Sequence, residues 1–315
     1  SVGNSMKMYV VIVTTSPYMP AGYPASFSAG GVSFNMYYVP GGLTFKAGTG
    51  DSTPTTITNA YWIAKTSVTY ELWSTVYNWA TSHGYTFANA GRKGNAGTGN
   101  VTQPVTVINW RDTMIWMNAL TEWYNAKNGT QYTCIYYTDA GYTTPIRTST
   151  NSVTIDMTAG TQDNPYVNNA ATGFRMLSSA EWELAARYKG SDSTNGAYEW
   201  PVGSGNWWTK GTYASGATAS YTNNSATWAV AWDTDNSGAA SHDVALLAAN
   251  ALTLYDMSGN VWQWSFDWYT SGSARIDRGG SWGNAASGMQ VGFVGSLYPY
   301  YAYANIGFRF ARTNL

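Results

Sequence analysis

Charge is scarce in this chain. Only 10% of its 315 residues are charged, and 17 acidic against 16 basic side chains leave a net charge of −1. Gripping a phosphate backbone takes a stripe of lysine and arginine, so nucleic acid is excluded as a partner. Cysteine is scarcer still. Cys134 stands alone, which rules out an intramolecular disulfide and any cysteine-built metal cluster. The two histidines, His83 and His242, have no ligand-like spacing to each other or to carboxylates, so they indicate no metal site. Both read as surface residues. The two histidines make no nucleophile–His–acid constellation in the sequence. No apolar run reaches the roughly 18–20 residues that cross a bilayer, and "VVIV" near the N-terminus reads as a buried strand rather than the core of an export signal.

What is abundant is Trp (16), Tyr (25) and Gly (33), alongside many Thr, Asn and Ser. Such a chain reads as an irregular, β-rich globule solvated by hydroxyls and amides. Three stretches have helical periodicity. In "VTYELWSTVYNWATSHG", Leu72, Val76 and Trp79 share a face and Gly84 supplies a stop. In "NWRDTMIWMNALTEWYNAKNG", Asn109 is a good N-cap and Gly129 ends the run. In "LSSAEWELAARYKG", Ser178 and Glu181 form a capping box, with Gly190 at the far end. "YYVPGGLTFKAG" predicts two strands around a Pro-Gly-Gly turn and "SVTIDM" one more. Residues 199–252 lack periodicity and are expected to form a long irregular surface layer. "GRKGNAGTG" misses the closing Gly-Lys-Ser/Thr of a phosphate loop, so it reads as an interhelical loop. With no repeat and no linker, one α+β domain is expected over residues 34–315, with residues 1–33 as an extension packed on it.

"DMSGNVWQWSFDWY" and "RGGSW" set Trp262, Trp264, Trp268 and Trp282 among Gly259, Gly279 and Gly280. These predict a tryptophan core locked by tight turns.

Taken together, "MYYVPGGLTF", "YWIAKTSVTYELW", "PVTVINWRDTMIWMNAL", "FRMLSSAEWELAARYKG", "LYDMSGNVWQW", "RGGSW" and "IGFRFAR" resemble, in order, the motifs of the formylglycine-generating-enzyme (sulfatase-modifying factor) family. The resemblance implies a C-type lectin fold of that type, with few helices, short strands and much irregular structure. It does not carry the activity with it. The family's oxidising members place two redox cysteines just after the Gly-Gly-Ser-aromatic motif, where this chain has Asn284 and Met289. Neither forms a thiolate or cycles through a disulfide. Iron-dependent relatives need a histidine-rich companion domain that two histidines cannot supply. The family's calcium site falls near "GNVWEW", where Gln263 replaces the acid, so a calcium ion here is expected to be weakly held or absent. No other cofactor or metal is expected.

Within residues 260–312, the C-terminal part resembles something narrower: the variable region of proteins diversified by a retroelement, the treponemal ones most nearly. In them, mutagenic copying at adenines rewrites asparagine-type codons between fixed landmarks. Here the landmarks would be "RGGSW", Ala286, Pro299 and "IGFR". The rewritten positions would be Gly283, Asn284, Ala285, Ser287, Gly288, Phe293, Val294, Gly295, Ser296, Leu297, Tyr298, Tyr300, Tyr301, Tyr303, Ala304 and Asn305. Rewriting an Asn codon only at its adenines cannot yield Met, Trp, Gln, Lys or Glu. None occurs at these positions, while Met289 and Gln290 fall among the fixed ones.

A face of Tyr, Phe, Ser, Gly and Asn has the composition of an antibody paratope: large contact area at low rotamer entropy, with adaptable polar groups. The expectation is therefore a non-catalytic, hypervariable binding protein that recognises a protein or glycan ligand. It would act as a monomer, at the cell surface or secreted, held by a lipid anchor on a segment outside this chain. The alternative is a formylglycine-generating-type oxidoreductase with an altered site.

Overall fold

Two sheets carry the fold in the computed structural model, which describes residues 19–314. The first runs Pro24–Ala29, Val32–Val39, Tyr61–Ala64, Phe310–Thr313, Phe174–Met176, with every neighbouring pair antiparallel. The second runs Gly295–Leu297, Ala274–Arg278, Trp262–Thr270, Ile306–Phe308, and only its last pairing is parallel. The chain leaves the second sheet at Phe308 and enters the first at Phe310, which traps Arg309 between them. Its guanidinium donates to the carbonyls of Ala64 (2.7 Å) and Tyr255 and to Gln263 Oε1 (3.1 Å). Burial lowers its pKa to about 9, so these acceptors substitute for the lost water.

The helices begin where the caps predict. α1 (Tyr70–Thr81) starts on Thr69, whose hydroxyl accepts from Leu72 N. α2 (Trp110–Asn128) starts on an Asn109–Asp112 capping box and ends on Gly129 in the left-handed region. α3 (Ser179–Arg187) starts on the Ser178–Glu181 box. α2 is buried along most of its length and forms the spine of the core. There Trp116 stacks on Trp73 from α1 (5.6 Å) and meets Phe308 edge-on (5.2 Å).

Several expectations are corrected. α3 stops at Arg187, not Gly190, because Tyr188 turns extended and bridges to Trp208. "SVTIDM" is not a strand. Its neighbourhood bends so that the carbonyls of Thr150, Ser152 and Thr154 accept from the Arg111 guanidinium, which also pairs with Asp163 at 2.6 Å in full burial. The two strands around Pro-Gly-Gly do form, Val32–Val39 and Leu43–Ala47, but in different sheets, with Leu43–Ala47 paired to Thr53–Ile57. The boundary at residue 33 cuts a hairpin in two, since Pro24–Ala29 is an edge strand of the first sheet and Phe27 stacks on Phe34 at 5.2 Å. "VVIV" lies outside the described residues. The layer from residue 199 to 252 is largely irregular, but it contains α4 (Asn224–Trp228) and buries Thr227, Val230, Ala231 and Asp233, so it is not all surface. Trp262 and Trp264 are core, whereas Trp268 and Trp282 are only half-buried. Trp268 covers the Arg275 guanidinium (3.5 Å), which is sandwiched against Trp110 on its other side (3.7 Å).

Candidate ligand-binding face

The segment after "RGGSW" is pinned by its backbone. Asn284 O accepts from Thr234 N (2.9 Å), and Met289 O from the Ser258 hydroxyl (2.7 Å). Val291 N and Gly292 N donate to the carbonyls of Tyr213 (2.8 Å) and Gly211 (3.0 Å). Further on, Pro299 O accepts from Trp110 N (3.2 Å), Tyr303 O from Val107 N (3.0 Å) and Asn305 O from Trp262 N (2.9 Å). The start of α2 therefore supports the tyrosine-rich turn from below. Arg278 clamps the middle: its guanidinium donates to Phe293 O (2.8 Å) and pairs with the buried Glu183 (2.6 Å). Glu183 in turn holds Arg187. Gly280, at φ +75°, is left without a side chain because a Cβ there would stand 2.7 Å from Gly288 O.

Because the fixed scaffold takes up the backbone, the side chains are free to point outward. Of the sixteen positions expected to vary, Gly288 alone is buried. Of the residues between them, Ala286, Met289, Gln290, Val291, Gly292 and Pro299 are buried and Ala302 is half-buried. Met289 is fully enclosed beside Ala214, Ala217, Val230 and Ala231. The exposed side is aromatic. Tyr298 stacks on Tyr300 at 5.4 Å, Tyr300 meets Tyr301 at 4.9 Å, and Tyr301 stacks on Tyr303 at 5.1 Å. Phe293, at the other end, rests against Trp262 at 6.0 Å. Phe293, Tyr298 and Tyr303 are 38%, 42% and 44% exposed, values that set them apart from the core aromatics. Two polar positions are less free, since Asn284 Oδ1 accepts from the Ser281 hydroxyl (2.5 Å) and Asn305 Nδ2 donates to it (3.3 Å). Gly283, Ala285, Ser287, Val294, Ser296, Leu297 and Ala304 fill the face between these groups.

No thiol stands at the positions of the family's cysteines. Cys134 lies elsewhere, buried beneath α2 with its sulfur 3.8 Å from Asn118 O, and burial pushes its pKa well up. Nor does Gln263 have a lone pair to spare for a cation. Its amide oxygen accepts from Trp182 Nε1 (2.9 Å) and Arg309 Nε (3.1 Å), and its nitrogen donates to Asp256 O (2.7 Å). The glutamine ties the two sheets to α3. His83 is exposed and stacks on Trp79 (4.0 Å), whereas His242 is half-buried against Trp232 (3.8 Å). Two residues important to the face went unremarked in the sequence. Arg278 figured only as a landmark and Asp277 not at all; the structure places both on the Ala274–Arg278 strand, and only tertiary contacts show what they reach.

The family model described as sulfatase-modifying factor enzyme 1-like domain matches residues 32–314. Chaperone protein LppX of Paenibacillus barcinonensis is 27% identical over 285 residues, covering 88% of this chain and 89% of its own length. Among solved structures, Treponema denticola variable protein 1 superposes with a TM-score of 0.68 at 25% identity, over 92% of this chain and 99% of that one. CarF shares the fold, with a TM-score of 0.65 at 24% identity over 90% of this chain and 99% of its own.

Proposed function

The chain belongs to the sulfatase-modifying factor enzyme 1-like family, with its C-type lectin fold, and we propose that it is a member without a catalytic role, a hypervariable protein that binds a protein or glycan ligand. The binding face is the outward side of residues 283–305, and its sequence is rewritten by a retroelement. One observation carries this reading. Fifteen of the sixteen positions that match the variable region of retroelement-diversified proteins are exposed or half-buried, while Ala286, Met289, Gln290, Val291, Gly292 and Pro299 between them are buried. A backbone pinned by the scaffold lets side chains change with little cost in folding, which is what diversification requires. The absence of both family cysteines, with Asn284 and the enclosed Met289 in their places, supports a non-enzyme. The protein acts as a monomer at the cell surface, held by a lipid anchor, or as a secreted protein.

A second reading is favoured by the relative named as a chaperone: the same aromatic face would hold a polypeptide client. Both readings need the face and neither needs chemistry. The deciding experiment randomises the sixteen positions in a displayed library and, separately, Ala286, Met289, Gln290, Val291 and Pro299. Most clones of the first library should stay protease-resistant and yield binders to diverse proteins or glycans, and most of the second should unfold. Equal losses in the two libraries overturn the proposal. Binders confined to unfolded polypeptides would favour the client reading.

A further inference from the structure

One buried acid beneath this face has no partner. Asp277 is 3% exposed and lies on the Ala274–Arg278 strand, opposite Gly295 of the edge strand and Trp264 on the other side. The other enclosed carboxylates are satisfied. Asp112 closes the α2 cap, Asp163 pairs with Arg111, Glu183 bridges two arginines, and Asp256 accepts from Ala245 N (2.8 Å). Among the described residues the Asp277 carboxyl accepts no hydrogen bond. The one charge acting on it is Arg278, from its own strand. That guanidinium is already engaged with Glu183, Phe293 O and the Ser179 hydroxyl. Neither the edge strand nor the Trp262–Thr270 strand brings a compensating cation against it. Burial accordingly raises its pKa, to about 7.

The carboxyl lies across the α-carbon of Gly295. A Cβ at that position would stand 1.9 Å from Oδ1 and 3.1 Å from the Trp262 ring. Residues 262 and 264 share one face of their strand, so the Trp262 ring and the carboxyl lie on the same side of the sheet. Phe293 packs on that ring from outside. The result is a carboxyl seated against Gly295 beside the Trp262 ring at the edge of the variable face, in space that any side chain at position 295 would claim. A carboxylate beside aromatic faces is the chemistry that receives an organic cation.

We infer that Asp277 is a fixed anchor of the binding face, taking the ammonium or guanidinium group of a protein ligand, and that the residue at position 295 opens or closes access to it. The inference rests on the reading of this face as a binding surface. It also gives diversification a second role: at most positions it changes what contacts the ligand, but at 295 it would govern whether an invariant charge is reachable.

The test follows the Cγ resonance of Asp277 in protein labelled at its aspartate carboxyls, assigned by its loss in Asp277→Asn. Methylguanidinium and propylammonium are titrated in at constant ionic strength, with propionamide as the neutral control. Both cations should move the resonance saturably and lower its titration midpoint by about one pH unit, a tenfold preference for the ionised form. Gly295→Ala should weaken the cation's effect at least tenfold. A resonance that ignores the cations, or that responds equally to propionamide, overturns the anchor. Tyr298→Ala and Tyr301→Ala are run alongside against a display-selected protein ligand. If they abolish binding while the cations do nothing, the anchor fails and the face stands; if they also bind normally, both readings fall.

Discussion

The stability of Asp277→Asn relative to the parent protein should climb as pH rises. The carboxyl titrates near 7 in the folded chain, against an ordinary value of 3.8, because burial disfavours its charged form. Between those two values the folded state holds more protons than the unfolded one, so stability falls as pH climbs through the window. Below about pH 4 both states are protonated and the penalty vanishes; above about pH 7 it is complete. A shift of roughly three units at 1.36 kcal/mol each gives about 4 kcal/mol at full ionisation. The asparagine introduces a cost of its own, roughly 1–3 kcal/mol for amide hydrogens without acceptors, but that cost is the same at every pH. The slope therefore carries the information and the offset does not. Urea melts of both proteins at about pH 4, 6 and 8.5 measure it. The difference in unfolding free energy should tilt toward the variant by about 4 kcal/mol across the series. Parallel curves would mean that Asp277 is solvated or paired in the native state, and the argument from its isolation would collapse.

Three further outcomes are expected. Phe308→Ala, which empties a fully buried site between Trp73 and Trp116, should cost about 3–5 kcal/mol; the half-buried Trp282 should cost less, and Tyr303→Ala only about 0.5 kcal/mol, as thermal or urea melts would show. Against a selected ligand, alanine at Phe293, Tyr298, Tyr300 or Tyr301 should each cost about 2 kcal/mol or more where the residue is central. The association rate should barely respond to salt, because the exposed face carries no charge and Asp277 is buried; normal binding by all four variants would move the docking site elsewhere. Incubated with a sulfatase-derived Cys or Ser peptide, with or without copper, the protein should form no aldehyde by mass spectrometry, and time-dependent aldehyde formation would restore an enzymatic reading.

The cap signals could be read because they are local: Asn109, Ser178 and Gly129 act on backbone groups within four residues of themselves. The segment at residues 283–305 stood out for a different reason, since its resemblance to a variable region and its aromatic, uncharged composition marked it as a candidate face. What misled was periodicity in short runs. "SVTIDM" alternates like a strand, yet the buried Arg111 guanidinium needs acceptors, and the segment's carbonyls supply them in place of a ladder. The strands around Pro-Gly-Gly were correctly seen as strands, but which partner each would find depends on residues far away in the chain.

By itself, then, the sequence determined the three main helices and, through its ordered motifs, the family. The tertiary structure decided the strand partners, the burial of Arg309 between two sheets, the saturation of Gln263 and the isolation of Asp277 under Gly295. The difference is one of range. A cap or a codon involves neighbours in the chain, whereas the state of a buried charge depends on whichever atoms folding brings within hydrogen-bonding distance. For Asp277 it brings a glycine, two aromatic rings and no donor.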